Sequence, residues 1–234
     1  MDYRHQGFGG DFGWDVLVPL IHTDLQFDAA GFESHDIGIG DIFVEPVLVS
    51  WHTDLADYAV AAGVWTPNGT PDGPVGASKG FWTGMFTAGM TLFSDTDKTY
   101  SMSALARYET NSKKRQADVA PGDDFHIEWG VARNFNGTLD IGASGYCHWQ
   151  VTEDRGSAAV NRDLKDRFFS AGPEINWLHQ KSGLFFQLRY QFEFVARNRP
   201  EGRNLVFSIV KVLDWKDKFR LKDENGQLNL PRYR

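Results

Sequence analysis

The chain has 234 residues and a formal net charge of −7, with 41% apolar and 14% aromatic residues. The aromatic content is too high for a disordered chain, and the negative charge argues against a nucleic-acid partner. The single cysteine, Cys147, excludes an internal disulfide framework and a Cys-based zinc cluster, and no run approaches the 18 apolar residues of a transmembrane helix.

Alternation of apolar and polar residues, with few segments of helical period, predicts an all-β chain. The alternation is clearest in Leu184–Phe194, where the even-numbered residues are apolar and the other face carries Gln187, Arg189 and Glu193. About 11 residues is the length of a tilted membrane-spanning strand, whereas strands of soluble proteins average about 5–6 residues. Ten strands are predicted, at residues 13–27, 41–51, 56–66, 80–93, 98–109, 124–133, 138–152, 167–178, 183–196 and 203–213.

The connections between the predicted strands alternate in length. The short ones resemble hairpin turns and lie at His52–Leu55, Ser94–Asp97, Asn134–Gly137 and His179–Ser182. The long ones are rich in Gly, Pro, Ser and charge and lie at Ala29–Gly40, Pro67–Lys79, Thr110–Gly122 and Glu153–Asp166. This sorting is typical of an antiparallel up-and-down transmembrane β-barrel. We expect the barrel to occupy residues 1–213 and a charged C-terminal tail to follow at 214–234.

Alternation alone does not say which face points inward, because a period of two has no absolute sign. A soluble barrel would bury the apolar face, and a membrane barrel would turn it outward to lipid. The polar face favours the membrane barrel, since it carries Gln, Ser, Thr and small residues in place of many Lys and Glu. The small residues of this face are Gly89, Gly130, Ala132, Gly142 and Gly172.

If the polar face is the inner one, its charged and imidazole side chains are the candidate site. These lumen candidates are Glu45, Arg107, Glu109, His126, Glu128, Asp140, His148, Glu174, Arg189 and Glu193. Six carboxylates then face two arginines, which predicts a negative interior and a weak preference for cations. The alternative is that these charges pair into a plug and the barrel is closed and structural.

Other motifs carry little functional signal. The glycines of 7–10 and 38–40 lack the strand-to-helix context of a nucleotide loop and are interpreted as turn residues. The histidines lack zinc-ligand spacing, and no serine sits in a nucleophile elbow, so we expect no metal, no cofactor and no enzymatic activity. The basic groups Lys113–Arg115, Arg197, Arg199 and Arg203 are expected in loops, either solvated or against lipopolysaccharide phosphates.

Several separated blocks resemble, in the same order, the MetA-pathway phenol-degradation family of outer-membrane proteins: Gly40–His52, Ser103–Asn111, Gln187–Phe194 and Asn198–Gly202. The resemblance extends over about residues 11–213 and implies a barrel of about twelve strands in the Gram-negative outer membrane. It also implies passage of small, often hydrophobic or aromatic compounds, and it brings no catalytic residues. Members usually begin with a signal peptide and about two further strands and end near Leu213, so a truncated reading frame is expected.

The function expected from the sequence is therefore passive uptake of small compounds through a monomeric channel in the bacterial outer membrane. The expected partners are outer-membrane lipid, lipopolysaccharide and a small-molecule solute. Two alternatives stay open, namely a soluble β-barrel that binds an apolar ligand and a closed structural outer-membrane barrel.

Overall fold

The computed structural model describes residues 9–27, 32–69 and 76–211. All regular elements in these residues are strands: β1 Asp11–Leu17, β2 Leu20–Phe27, β3 Phe32–Ile39, β4 Ile42–His52, β5 Ala56–Thr66, β6 Thr83–Phe93, β7 Tyr100–Asn111, β8 Asp124–Phe135, β9 Leu139–Gln150, β10 Arg167–His179, β11 Leu184–Arg197 and β12 Arg203–Lys211. Within the described ranges, no helix is long and apolar enough to span a membrane. The predicted tail at 214–234 lies outside the described residues.

Ten of the strands form one antiparallel sheet in the order β1-β4-β5-β6-β7-β8-β9-β10-β11-β12, and β2 pairs with β3 separately. From β4 onward each strand pairs with the next strand of the chain. This meander confirms the all-β, antiparallel up-and-down barrel class expected from the alternation. Nine predicted strands, from 41–51 to 203–213, agree with β4–β12 to within three residues at each end.

The prediction of one continuous strand at 13–27 is wrong, because two separate strands, β1 and β2, occupy this segment. Pro19 lies at this break; its ring fixes φ and removes the backbone donor, so it does not continue a ladder. The predicted loop Ala29–Gly40 is also wrong for most of its length, since β3 occupies Phe32–Ile39. The run of polar residues in β3 leaves no clear alternation of apolar and polar side chains, so the sequence did not predict this strand. The β2–β3 hairpin is tied at its base, where the N–H of Gly40 donates to the carbonyl of Pro19 at 2.9 Å.

The connections sort to two ends of the sheet, as the alternating lengths predict. Strand direction puts the β5–β6, β7–β8 and β9–β10 connections at one end, called here the long-loop end. The β4–β5, β6–β7, β8–β9 and β10–β11 turns lie at the opposite, short-turn end. At the β8–β9 turn, Asn136 and Gly137 have φ of 56° and 70°, the left-handed values that a tight hairpin requires.

The apolar face of the sheet points outward. Large apolar side chains with 39–62% exposure line the outside of β6–β12: Phe86, Met90, Met102, Tyr108, Val131, Ile141, Ile175, Trp177, Leu188, Phe192 and Phe207. On the opposite face, small polar side chains are buried, with Ser170 at 1% and Gln191 at 3% exposure. The structure therefore answers the question that the period of two left open, and the polar face is the inner one.

The sheet curves toward this polar face, because side chains from strands that are not neighbours meet there. Gln191 of β11 donates to the hydroxyl of Ser144 on β9 at 3.1 Å, and Tyr146 of β9 donates to Glu193 of β11 at 2.7 Å. Close backbone approach assists the curvature at Gly172, where an added Cβ would lie 1.8 Å from the carbonyl oxygen of Tyr190. The result is a concave polar surface inside a convex apolar one.

We expect Leu188→Arg to destabilise the protein in lipid vesicles by about 2–4 kcal/mol, because an outward charge near the middle of β11 would enter hydrocarbon. The matched control is Gln187→Arg on the same strand. Gln187 faces inward and donates to Glu174 at 3.2 Å, an interaction that an arginine can replace. Denaturant unfolding in vesicles measures both variants, and equal losses would show that the two faces are wrongly assigned.

Candidate functional site

The inner face is organised in rows, because the ladder register places inward side chains of neighbouring strands directly opposite each other. One row runs Arg107, His126, His148 and Phe168 across β7–β10. Another runs Leu105, Glu128, Tyr146 and Ser170 across the same strands. The two rows lie next to each other, so a side chain of one row can reach a side chain of the other on the adjacent strand, as Arg107 reaches Glu128.

A cavity of about 480 Å³ lies on the inner face. Its lining comes from β4–β11 and includes four of the candidate residues, Glu128, Asp140, Glu174 and Arg189. Small residues open the space between these groups, namely Gly89, Gly130, Ala132, Gly142, Ser103 and Ser144. Four of the five small residues that the sequence placed on the polar face, all except Gly172, thus make room for the cavity.

Both arginines predicted on this face are paired with predicted carboxylates of an adjacent strand. Arg107 Nη1 contacts Glu128 Oε1, and Arg189 Nε donates to Glu174 Oε2 at 2.7 Å. Glu174 Oε1 also accepts from the Asn176 amide at 2.9 Å. These contacts fix the carboxylates in place along the cavity wall and reduce the charge of the inner face.

Glu193 lies toward the long-loop end and is bound by several donors. Its Oε1 accepts from the Tyr146 hydroxyl at 2.7 Å, and its Oε2 accepts from the N–H of Gly202 at 2.8 Å. Arg199 Nη2 lies 3.6 Å from Glu193, and its guanidinium lies 3.5 Å from the centroid of the Phe168 ring. Arg199 lies in the β11–β12 turn, as the loop prediction has it, and from there its guanidinium reaches Glu193 and Phe168 on the inner face.

His126 and His148 stack with their ring centroids 6.0 Å apart, as their opposed register positions require. Asp140, at the short-turn end, accepts from the Asn134 amide at 2.6 Å. The sequence placed these three side chains on one face, and the structure brings the two imidazoles together while Asp140 lies apart.

Glu45 is 6% exposed and lies in a β-bulge between Val44 and Val47. The bulge forms beside Pro46, which has no N–H to donate to the ladder. Glu45 and Glu109 both lie within electrostatic range of Arg107, although they come from β4 and β7. Glu109 shares β7 with Arg107, whereas Glu45 lies three strands away, so the curvature of the sheet brings Glu45 toward this arginine.

Sequence reasoning missed a polar group at the short-turn end. His52 Nδ1 lies 3.0 Å from Asp57 Oδ1, and Lys98 Nζ lies 3.6 Å from Asp57 Oδ2. A signal for Asp57 was present, because it shares its phase on β5 with Ala59 and Ala61, small residues like those of the polar face elsewhere. Lys98 follows a turn, with φ of 56°, so alternation did not place it.

The inner face keeps an excess of negative charge when these residues are included. In the described strands and turns, its carboxylates include Glu45, Asp57, Glu109, Asp124, Glu128, Asp140, Glu174 and Glu193. The basic side chains that contact or neighbour them include Lys98, Arg107, Arg189 and Arg199. In this set the carboxylates outnumber the basic side chains, so the excess charge remains negative.

Two long loops are joined outside the strands. Asp118 accepts from the Ser157 N–H at 3.2 Å, and Lys113 Nζ lies 2.8 Å from its other oxygen. The hydrogen bonds from Lys113 and Ser157 hold the pKa of Asp118 well below its usual range. The ionised Asp118 therefore contributes fully to the stability of the folded protein above its ordinary pKa of 3.8. This contribution is lost only as the pH falls through the lowered pKa.

We expect Glu174→Gln to cost about 1–2 kcal/mol of stability, because it removes the charge opposite Arg189 in a partly exposed pair. The double variant Glu174→Gln with Arg189→Gln should recover part of this loss, since no uncompensated charge remains. Denaturant unfolding of the four proteins forms a double-mutant cycle. Additive losses would show that the two side chains do not interact.

The sequence matches the family described as "Putative MetA-pathway of phenol degradation" over residues 2–209. The fold is similar to that of an outer membrane channel from Pseudomonas putida known from a crystal structure, with a TM-score of 0.70. The two proteins are 10% identical, and the match covers 83% of this chain and 73% of that chain. At 10% identity, this similarity is evidence of a shared fold alone. No curated protein matches the sequence.

Proposed function

The chain belongs to the MetA-pathway phenol-degradation family, an outer-membrane family, and from this premise we propose that it is a narrow channel in the bacterial outer membrane. Small solutes pass through it passively, down their own concentration gradient. The proposal needs no cofactor, no energy source and no catalytic group.

The observation that carries the proposal is the inverted polarity of the sheet. Strands β4–β11 are 11–14 residues long, which suits tilted strands that cross a bilayer. Their outward side chains are apolar, whereas their inward side chains are polar and surround a cavity of about 480 Å³. A soluble barrel that binds an apolar ligand would need the opposite arrangement, so it is the weaker candidate.

We propose small compounds of hydrophobic or aromatic character as the solutes. The size of the cavity supports a small solute. The rings of Tyr146 and Phe168, 5.4 Å apart, offer apolar contact elsewhere on the same inner face. The description of the family, which refers to phenol degradation, agrees with this class.

The proposed environment is outer-membrane lipid around the apolar face and lipopolysaccharide around the long loops, with the protein acting as a monomer. Two of the basic residues expected to contact lipopolysaccharide have partners within the chain: Lys113 pairs with Asp118, and Arg115 donates to the carbonyl of Pro67 at 2.7 Å. Arg197 and Arg203 are exposed at the same end and are the better candidates for phosphate contacts.

In planar bilayers we expect conductance with a weak preference for cations, because carboxylates outnumber basic groups along the inner face. The preference should shrink as salt rises, since the Debye length falls from about 30 Å at 0.01 M to about 3 Å at 1 M. Glu128→Gln should lower the preference further, as it leaves the charge of Arg107 unbalanced. The reversal potential in a salt gradient measures each effect.

The matched control for this experiment is Glu153→Gln, the same chemical change at an exposed loop position. It should leave the reversal potential unchanged. A preference for anions in the unmodified protein would contradict the expected charge excess. Absence of conductance in correctly folded protein would favour the closed structural barrel.

External protease on intact cells should cut within the long loops and spare the short turns, because only the long-loop end is expected to face outward. Asp118→Asn should accelerate this cleavage, since it removes the charge that binds Lys113. Asp97→Asn, in the exposed turn at the opposite end, should not. Faster cleavage of the second variant alone would reverse the proposed topology.

A further inference from the structure

Three polar side chains converge at the long-loop end of the inner face, apart from the residues that line the cavity. They are Asp124 at the start of β8, His148 on β9 and Asp166 just before β10. One ligand atom from each lies within 4.8 Å of the others. His148 Nε2 is 3.4 Å from Asp124 Oδ1 and 3.3 Å from Asp166 Oδ1, and all three side chains are partly buried.

The two distances are long for charge-assisted hydrogen bonds, and they match the spacing between two ligands of one metal ion. A charge-assisted N–H···O bond is normally about 2.7–2.9 Å long, and both observed separations exceed that range. In a tetrahedral zinc site with bonds of about 2.0–2.1 Å, neighbouring ligand atoms are about 3.3–3.4 Å apart. The imidazole nitrogen of His148 therefore has the separation from each carboxylate oxygen that two ligands of one metal ion have.

The net charge of the three side chains also favours a bound cation. Two carboxylates face a single imidazole nitrogen, so the group keeps a net negative charge even if the ring is protonated. Glu109 lies directly opposite Asp124 in the register and adds to this charge. A divalent cation would neutralise the carboxylates and bind the imidazole in its neutral form.

The surrounding structure holds these ligands before any ion arrives. The His148 ring is stacked between His126, at 6.0 Å, and Phe168, at 4.7 Å, which fixes the direction of its nitrogen atoms. The Gln150 N–H donates to the Asp166 carbonyl at 2.9 Å, which ties the loop to β9. The ladder pairs Asp124 with Gln150.

We propose that Asp124, His148 and Asp166 form a binding site for a first-row divalent cation such as Zn²⁺. One nitrogen and two carboxylate oxygens supply three ligands, and water completes the coordination. The histidines show no zinc-ligand spacing along the sequence because the three ligands come from separated segments of the chain. This site is independent of whether the barrel conducts.

The test is titration of the refolded protein in detergent micelles with ZnCl₂, followed by isothermal calorimetry. The background is Cys147→Ser, since a thiol also binds zinc; Cys147 lies in the outward phase of β9, next to His148 in the chain. We expect saturable binding of one zinc ion per chain. His148→Gln and Asp166→Asn should each weaken it by about ten-fold or more, because each removes a ligand.

The matched control is His52→Gln at the short-turn end, where His52 lies 3.0 Å from Asp57 and 3.9 Å from Asp11. It should leave the zinc affinity unchanged. Asp166→Asn retains the shape of the loop residue, so it keeps the test informative if His148→Gln does not fold. Lack of saturable binding, or equal affinity in the background protein and both ligand variants, would overturn the proposal.

Discussion

Backbone hydrogen bonding between neighbouring strands is the constraint on which the rest of this structure depends. Each strand from β4 to β11 has a paired strand on both sides, so its N–H and C=O groups are bonded within the sheet. Hydrocarbon offers no partners for these groups, and an antiparallel meander satisfies them without water. Once the backbone is satisfied in this way, the outward side chains can be apolar and the inward ones polar.

The same ladder determines which polar groups meet. Its register sets Arg189 directly opposite Glu174 and Arg107 diagonal to Glu128. Curvature brings Tyr146 within hydrogen-bond distance of Glu193 two strands away. Isolated charges would be costly on this partly buried inner face, and pairing lowers that cost. The inner face is consequently a fixed array of bonded polar groups that leaves a cavity open between its rows.

Much of the fold could be predicted from the sequence, because alternation over 9–14 residues marks each strand of the meander and its two faces. Alternation did not predict the structure where a proline, a polar strand or a turn determines it. Proline breaks the strand predicted at 13–27, and β3 is too polar to show a period. The positions of Arg199 and Lys98 depend on turns, which have no period. The contacts among the candidates depend on register and curvature, which a single sequence does not encode in a readable pattern.

The β2–β3 hairpin has a consequence for how this architecture can vary. The hairpin separates β1 from β4 in the chain, yet β1 and β4 pair directly with each other in the sheet. Its two ends are joined by the bond between Gly40 and Pro19, so the excursion is closed at its base. Insertions or deletions within it would change neither the number of strands in the sheet nor their stagger. The β2–β3 hairpin can therefore vary in length and chemistry while the ten-stranded sheet keeps its dimensions.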